Sequence, residues 1–172
     1  FKTAVSLEET GKVQIVALDK TGTITNGTPK VTDIVPADGI SQDELLRLAF
    51  ALEAKSEHPL AKAIVEEGKS KGLDIASLQA DNFTALVGNG LEGTIEGSHL
   101  LGGSVSFISG RVTISKADRQ RAALLAESGK TPLLFAKDKK FLGIIAVADT
   151  IKEDSPKAIR ELQNMGIRVV ML

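Results

Sequence analysis

The chain opens on a short apolar run, residues 13–18, rich in β-branched side chains and set between Gly11 and Gly22. That texture predicts a strand buried on both faces, as in parallel sheets. Ahead of it, Ser6-Leu7-Glu8-Glu9 is compatible with a turn of helix that Gly11 stops. After it, Asn26-Gly27 is a strong turn signal, residues 31–35 read as a second extended segment, and Pro36-Ala37-Asp38-Gly39 breaks the chain.

The period then changes. Ser41 with Glu44 forms a capping box ahead of Leu45, Leu46, Leu48, Ala49 and Leu52 at helical spacing. A second helix is predicted from Pro59 to about residue 69 or 72, with Ala61, Ile64 and Val65 on one face. From 83 to 114 the pieces become short and glycine-punctuated: strands are predicted at 83–87, 91–95 and 99–101, joined by Gly88-Asn89-Gly90 and Glu96-Gly97-Ser98. Ser115 with Asp118 starts a helix that carries Ala122, Leu124 and Leu125 and stops at Gly129. Strands at 133–136 and 141–147 follow, around a polar turn centred on Asp138. This middle stretch reads as an antiparallel sheet with helices packed on it. From Asp149 the α/β texture returns: Ser155 as N-cap, Pro156, a stripe of Ala158, Ile159, Leu162 and Met165, then Gly166 and a buried-type strand, residues 167–172.

Bulk properties narrow the classes. At 172 residues the chain accommodates one domain or two small ones, and its formal net charge of −1 provides no basic field for nucleic acid or anionic membrane. With no cysteine, disulfides and thiolate metal sites are excluded. No apolar run approaches the roughly 18–20 residues of a membrane span. Phenylalanine is the sole Phe/Tyr/Trp type present, so base-stacking platforms are scarce.

The chemistry concentrates in Asp19-Lys20-Thr21-Gly22-Thr23, at the carboxyl end of the first strand, where open α/β sheets place their ligand crevice. A carboxylate there can act as a nucleophile toward a phosphoryl group. Lys20 adds a cation, Thr21 and Thr23 add hydroxyls, and Gly22 permits a tight backbone cradle. Continued by Ile24-Thr25, this string resembles the phosphorylation motif of P-type cation-transporting ATPases, in which the Asp is autophosphorylated by ATP. The resemblance implies an α/β fold: a haloacid-dehalogenase-like, Rossmann-like phosphorylation domain (1–33 and 148–172, incomplete) with an inserted α+β nucleotide-binding domain (34–147). It also implies ATP and Mg²⁺ as cofactors, with Asp19 and Thr21 on the metal. Residues 1–11 would be the stalk from a transmembrane helix.

Ser56-Glu57-His58-Pro59-Leu60 is a second constellation. Pro59 keeps His58 out of helical geometry, so its imidazole can stack on or hydrogen-bond an adenine while Glu57 accepts from an exocyclic amine. Read alone, it is equally a helix N-terminus with an exposed His. The string is similar, however, to the nucleotide-domain motif of the heavy-metal branch of P-type ATPases. Gly88-Asn89-Gly90 is by itself a hairpin signal; the resemblance implies that the nucleotide lies against bare backbone at Gly88 and Gly90, with Leu91 following. Gly103 matches the Gly of the family's Gly-Asn pair, and Ser104 replaces the Asn. Asp149-Thr150-Ile151-Lys152 is a strand end leading to a helix; the resemblance puts Asp149 and Lys152 at the hinge, near ribose and phosphates. His99, in a turn-rich hairpin, reads as a solvated surface residue.

The reading is therefore the ATP-binding and phosphorylation region of a heavy-metal pump, with in-line transfer of the γ-phosphoryl group to Asp19 and closure of the nucleotide domain over it. Its partners would be ATP, the transmembrane helices, the actuator domain and the rest of the phosphorylation domain, at the cytosolic face of a membrane. The family's later Thr-Gly-Asp, Lys and Gly-Asp-Gly-x-Asn-Asp segments are absent, so the chain alone is expected to bind nucleotide but turn over phosphoenzyme poorly. A soluble phosphatase of the same superfamily is the alternative enzyme, although Thr21 stands where such phosphatases carry a second Asp. A non-catalytic nucleotide-binding module is the alternative outside enzymes.

Overall fold

The computed structural model describes residues 11–74, 76, 78, 80–86, 88 and 90–172. The helix-compatible residues 6–9, Val87 at the end of the predicted 83–87 strand, and Asn89 lie outside them. The chain divides into two compact units: one takes residues up to Thr28 together with Asp149–Leu172, the other Pro29–Ala148. The divisions fall within strands β2 (Thr25–Pro36) and β7 (Lys140–Ile151).

The Pro29–Ala148 unit is a six-stranded sheet in the order β2-β7-β6-β5-β4-β3, where β3 is Asp81–Leu86, β4 Gly90–Ile95, β5 Ser98–Gly103 and β6 Thr131–Lys137. Neighbours from β3 through β7 pair antiparallel. The β4–β5 and β6–β7 hairpins are tight because Glu96, Gly97, Asp138 and Lys139 all take positive φ, the geometry of a two-residue turn matched to strand twist. Pairing slips between Phe135 and Ala136, where β7 carries one extra residue. The bulge lets Leu142 join the same side as Ile145 and Val147, while Phe141 and Ile144 face the other.

Each face of this sheet has its own core. Helices α1 (Gln42–Glu53) and α2 (Pro59–Ser70) pack over Leu91, Ile95, Leu100, Phe135 and Ile145. Helices α3 (Val105–Ser109) and α4 (Lys116–Glu127) cover Leu101, Leu134, Ala136 and Ile144. The helix starts follow from their caps: the Glu44 N–H donates to Ser41 Oγ at 3.1 Å, and the Asp118 N–H to Ser115 Oγ at 3.0 Å. Sequence patterning missed α3, because Val105, Ser106 and Ile108 favour extended chain; Ser104 nonetheless caps it through the Phe107 N–H. Leu124, expected on the inner stripe of α4, is 57% exposed, and Ala122 and Leu125 face the core instead.

In the other unit, β1 (Ile15–Leu18) pairs parallel with β8 (Arg168–Met171), in register Ile15↔Arg168 to Leu18↔Met171, and α5 (Ser155–Asn164) packs on β8. The expectation that both strands are buried does not hold: Ile15 is 58% and Met171 55% exposed. Their apolar residues would suit a larger sheet, but here two strands and one helix give them little to pack against. Two local expectations also change. Asn26-Gly27 does not make a hairpin turn but begins β2, with the Asn26 amide held by Thr150. Ser155 is the first residue of α5 and not its cap, since its buried hydroxyl donates to the Ile24 carbonyl at 2.9 Å.

Helix α2 carries Gly68 because a Cβ there would lie 2.3 Å from the ring of Phe50, itself fully buried in α1. Gly68→Ala should lower stability by about 1–3 kcal/mol through overpacking, outweighing the roughly 1 kcal/mol gained in helix propensity. A lower urea midpoint at unchanged m-value checks this; an unchanged midpoint would mean that the ring yields.

Candidate functional site

Asp19 follows the last residue of β1, extended (φ −67°, ψ 141°), and residues 19–23 are all exposed. Beyond it the backbone closes a wide turn: the Thr25 N–H donates to the Lys20 carbonyl, and Gly22 turns the chain at φ +76°, a conformation costly for a side-chain-bearing residue. Asp19, Lys20, Thr21 and Thr23 thus lie on one continuous, exposed loop.

What holds this loop comes from the far end of the chain. The Asp149 carboxylate accepts the Thr25 hydroxyl on one oxygen and the Gly27 N–H, at 3.0 Å, on the other. Thr25 Oγ1 in turn accepts the Gly22 N–H at 3.3 Å. The Lys152 ammonium donates to the Gly22 carbonyl at 2.8 Å, and the Lys152 N–H to the Ile24 carbonyl at 2.9 Å. Asp149 and Lys152, expected near ribose and phosphates, therefore spend these polar atoms on the backbone and hydroxyl of the Asp19 loop.

The Pro29–Ala148 unit contains a cavity of about 470 Å³. Leu60, Leu86, Leu91 and Leu133 give it apolar walls, and Gly88, Gly90, Gly102 and Gly103 line it with bare backbone. Gly90 is fixed by packing as well: a Cβ there would sit 2.4 Å from the Gly102 carbonyl oxygen and 2.7 Å from the Phe107 ring. Gly88, by contrast, has open space and φ +75°. His58, Ser56, Ser104 and Thr131 bring the polar edges. The imidazole caps α2, with Nδ1 accepting the Leu60 N–H at 3.2 Å.

Glu57 is exposed and is not among the cavity-lining residues; Glu53 is. Glu53 ends α1, is 4% exposed as a residue, and shows no hydrogen bond or ion pair to its carboxylate among the described residues. Burial pushes its pKa up to about 7. Sequence reasoning passed it over because a Glu in the last turn of a helix normally points to water. Its signal was present: Glu53 follows Leu45, Ala49 and Leu52 round the buried face. His99 is exposed as expected, with Nε2 3.5 Å from Glu92 Oε2.

The haloacid dehalogenase-like hydrolase profile matches residues 13–172. The chain belongs to the haloacid dehalogenase-like hydrolase family. Relatives of the chain include metal-transporting ATPases. It is 42% identical, over all of its own length, to copper-transporting ATPase 1 of Rhizobium meliloti (strain 1021), and 35% identical to a probable cadmium-transporting ATPase of Staphylococcus aureus (strain MRSA252). It covers 21% and 24% of those proteins, so it spans about a fifth to a quarter of their length. The crystal structure of a zinc-transporting PIB-type ATPase in its E2.Pi state superposes on 96% of the chain and 26% of its own, with TM-score 0.85 and 41% identity. The haloacid dehalogenase-like unit with an inserted sheet domain, expected from the motifs, is thus the fold these relatives share.

Two outcomes follow for this haloacid dehalogenase-like chain. Because the folded state raises the Glu53 pKa from 4.5 to about 7, folding is favoured most below pH 4.5, and that contribution is lost as pH rises to about 7 and beyond. The loss is on the order of 3 kcal/mol, and Glu53→Gln should remove it, so the variant's stability gain over the parent grows between pH 5 and 8 in urea titrations. Asp149→Ala should speed hydrogen exchange at the Gly22 and Gly27 amides about tenfold or more, leaving Leu134 and Ile144 protected.

Proposed function

We propose that this chain is the ATP-binding and phosphoryl-accepting part of a heavy-metal-transporting P-type ATPase. The observation that carries the reading is the cavity of the Pro29–Ala148 unit. An apolar slot with a bare glycine backbone suits the face of a purine, and the Glu53 carboxylate, on a residue that lines the slot and bonds no donor among the described residues, suits an exocyclic amine. His58, Gly88, Gly90, Leu91 and Gly103 complete the contact surface, and Glu57 stays at its rim.

In the reaction, a carboxylate oxygen of Asp19 attacks the γ-phosphorus of ATP. A bond forms from that oxygen to phosphorus as the bond to the β–γ bridging oxygen breaks, and ADP leaves. Lys20 offsets phosphate charge, while Thr21, Thr23 and the Gly22 backbone orient phosphoryl oxygens. Asp149 and Lys152 keep the loop in this shape. The donors at hand, a carboxylate and a hydroxyl at Asp19 and Thr21, fit Mg²⁺, which takes few protein ligands beside phosphate and water. When bound, the ion supplies charge neutralisation across the phosphates. Thr21 cannot serve as the acid/base of a hydrolase, which favours a longer-lived phosphoenzyme over a phosphatase.

We assign Pro29–Ala148 to nucleotide binding and the remainder to phosphorylation, with transmembrane and actuator parts as partners in the whole pump on the cytosolic side of its membrane. The copper, cadmium and zinc named for the relatives support a soft or transition metal as cargo. Calorimetric titration should find ATP bound more tightly than GTP, with about tenfold loss in Glu53→Ala and in His58→Ala. Equal affinity for ATP and GTP, or none, would remove the adenine reading. In the whole pump, labelling by γ-³²P-ATP should vanish in Asp19→Asn.

A further inference from the structure

We infer that His58 meets its ligand as a hydrogen-bond donor through Nε2–H, because the cap of α2 fixes which ring nitrogen carries the proton. The inference rests on the nucleotide reading of the cavity and specifies the polarity of one of its contacts.

The geometry begins with Pro59, which stands at the start of α2 and has no N–H. The first N–H of the helix is therefore that of Leu60, one of the orphan donors that every helix start leaves. His58 Nδ1 accepts it at 3.2 Å, while the His58 N–H donates to Ser56 Oγ at 3.4 Å. An acceptor nitrogen must hold a lone pair, so in the neutral ring the proton sits on Nε2. Leu60 and His58 both line the cavity, and so does Glu53. Among the lining side chains, His58 thus brings a donor, Nε2–H, and Glu53 an acceptor, its carboxylate. A ligand must answer with an acceptor toward His58 and a donor toward Glu53, as a purine with ring nitrogens and an exocyclic amine does. In this arrangement His58 is a ligand contact whose tautomer is set by backbone, and the α2 N-terminus is the device that sets it.

The test is nitrogen-15 NMR of the two imidazoles at alkaline pH, with ATP as the added ligand. The expected spectrum has Nε2 of His58 protonated and Nδ1 bare, with a through-hydrogen-bond coupling between Nδ1 and the Leu60 amide. ATP should then move the Nε2 signal and leave Nδ1 in its bare form. His58→Asn should keep the melting midpoint, since its carboxamide oxygen replaces Nδ1 as the cap, whereas His58→Ala should lower it. A proton on Nδ1, a mixture of tautomers, or equal loss of midpoint in both variants would overturn the inference. So would an Nε2 signal that stays still while the Leu91 and Gly103 amides respond to ATP; the nucleotide reading would survive that result. If those amides are silent too, the nucleotide reading fails and the donor role falls with it.

Discussion

The carboxylate of Asp149 reaches back to Thr25 across 124 positions of sequence, and the shape of the Asp19 loop depends on that return. Closing so long a loop costs chain entropy, although the cost grows only with the logarithm of length. The inserted unit removes most of it by folding on its own core. Its first and last strands, β2 and β7, are neighbours in the sheet, so the chain leaves and re-enters the insertion at adjacent points. Residues 25–27 and 149–152 can then exchange hydrogen bonds at little further entropic expense. The parallel pairing of β1 with β8 is a second consequence of the same closure.

Much of this was legible. Caps at Ser41 and Ser115 and the proline at 59 mark helices by chemistry that acts over three or four residues, and local chemistry survives into the fold. The Asp19 loop was legible for a similar reason, since a short string holds its carboxylate, cation, hydroxyls and glycine. What escaped depends on distant partners. Asn26-Gly27 forms a tight turn in isolation; here the Asn26 amide finds Thr150 and the Gly27 N–H finds Asp149, so both join a strand. Ser155 looks like a cap until the Ile24 carbonyl takes its hydroxyl. Strands β1 and β8 have the composition of buried strands, but burial is a property of neighbours and not of composition.

The cavity shows the same limit from the other side. Sequence put the amine acceptor at Glu57, next to the imidazole; in the fold Glu53, the last residue of α1, lines the cavity and Glu57 does not. Glu53 breaks three local rules at once: it is an ionisable residue, it is 4% exposed with no donor to its carboxylate among the described residues, and it is set at the carbonyl end of a helix, where negative charge is disfavoured. Each penalty has the same sign, and nothing among the described residues offsets them. Such concentrated cost is tolerated where a ligand, rather than the protein, completes the pairing.

The two units differ in what holds them. The Pro29–Ala148 unit has two apolar clusters on opposite faces of its sheet. The unit with Asp19 buries Ile24, Thr25 and Ser155 and leaves most of its other large apolar side chains partly or fully open. Its order therefore rests on hydrogen bonds from Asp149, Lys152 and Ser155, each worth on the order of 1 kcal/mol net. A loop held this way opens at lower free energy than a strand in the core of the Pro29–Ala148 unit. It also keeps its donors aimed at fixed places, because most of the bonds that hold it run to backbone atoms, with the Thr25 hydroxyl as the side-chain partner. Polar anchoring from behind does for the Asp19 loop what burial cannot: it fixes the backbone while leaving the Asp19 carboxylate in the open, as the proposed role of nucleophile requires.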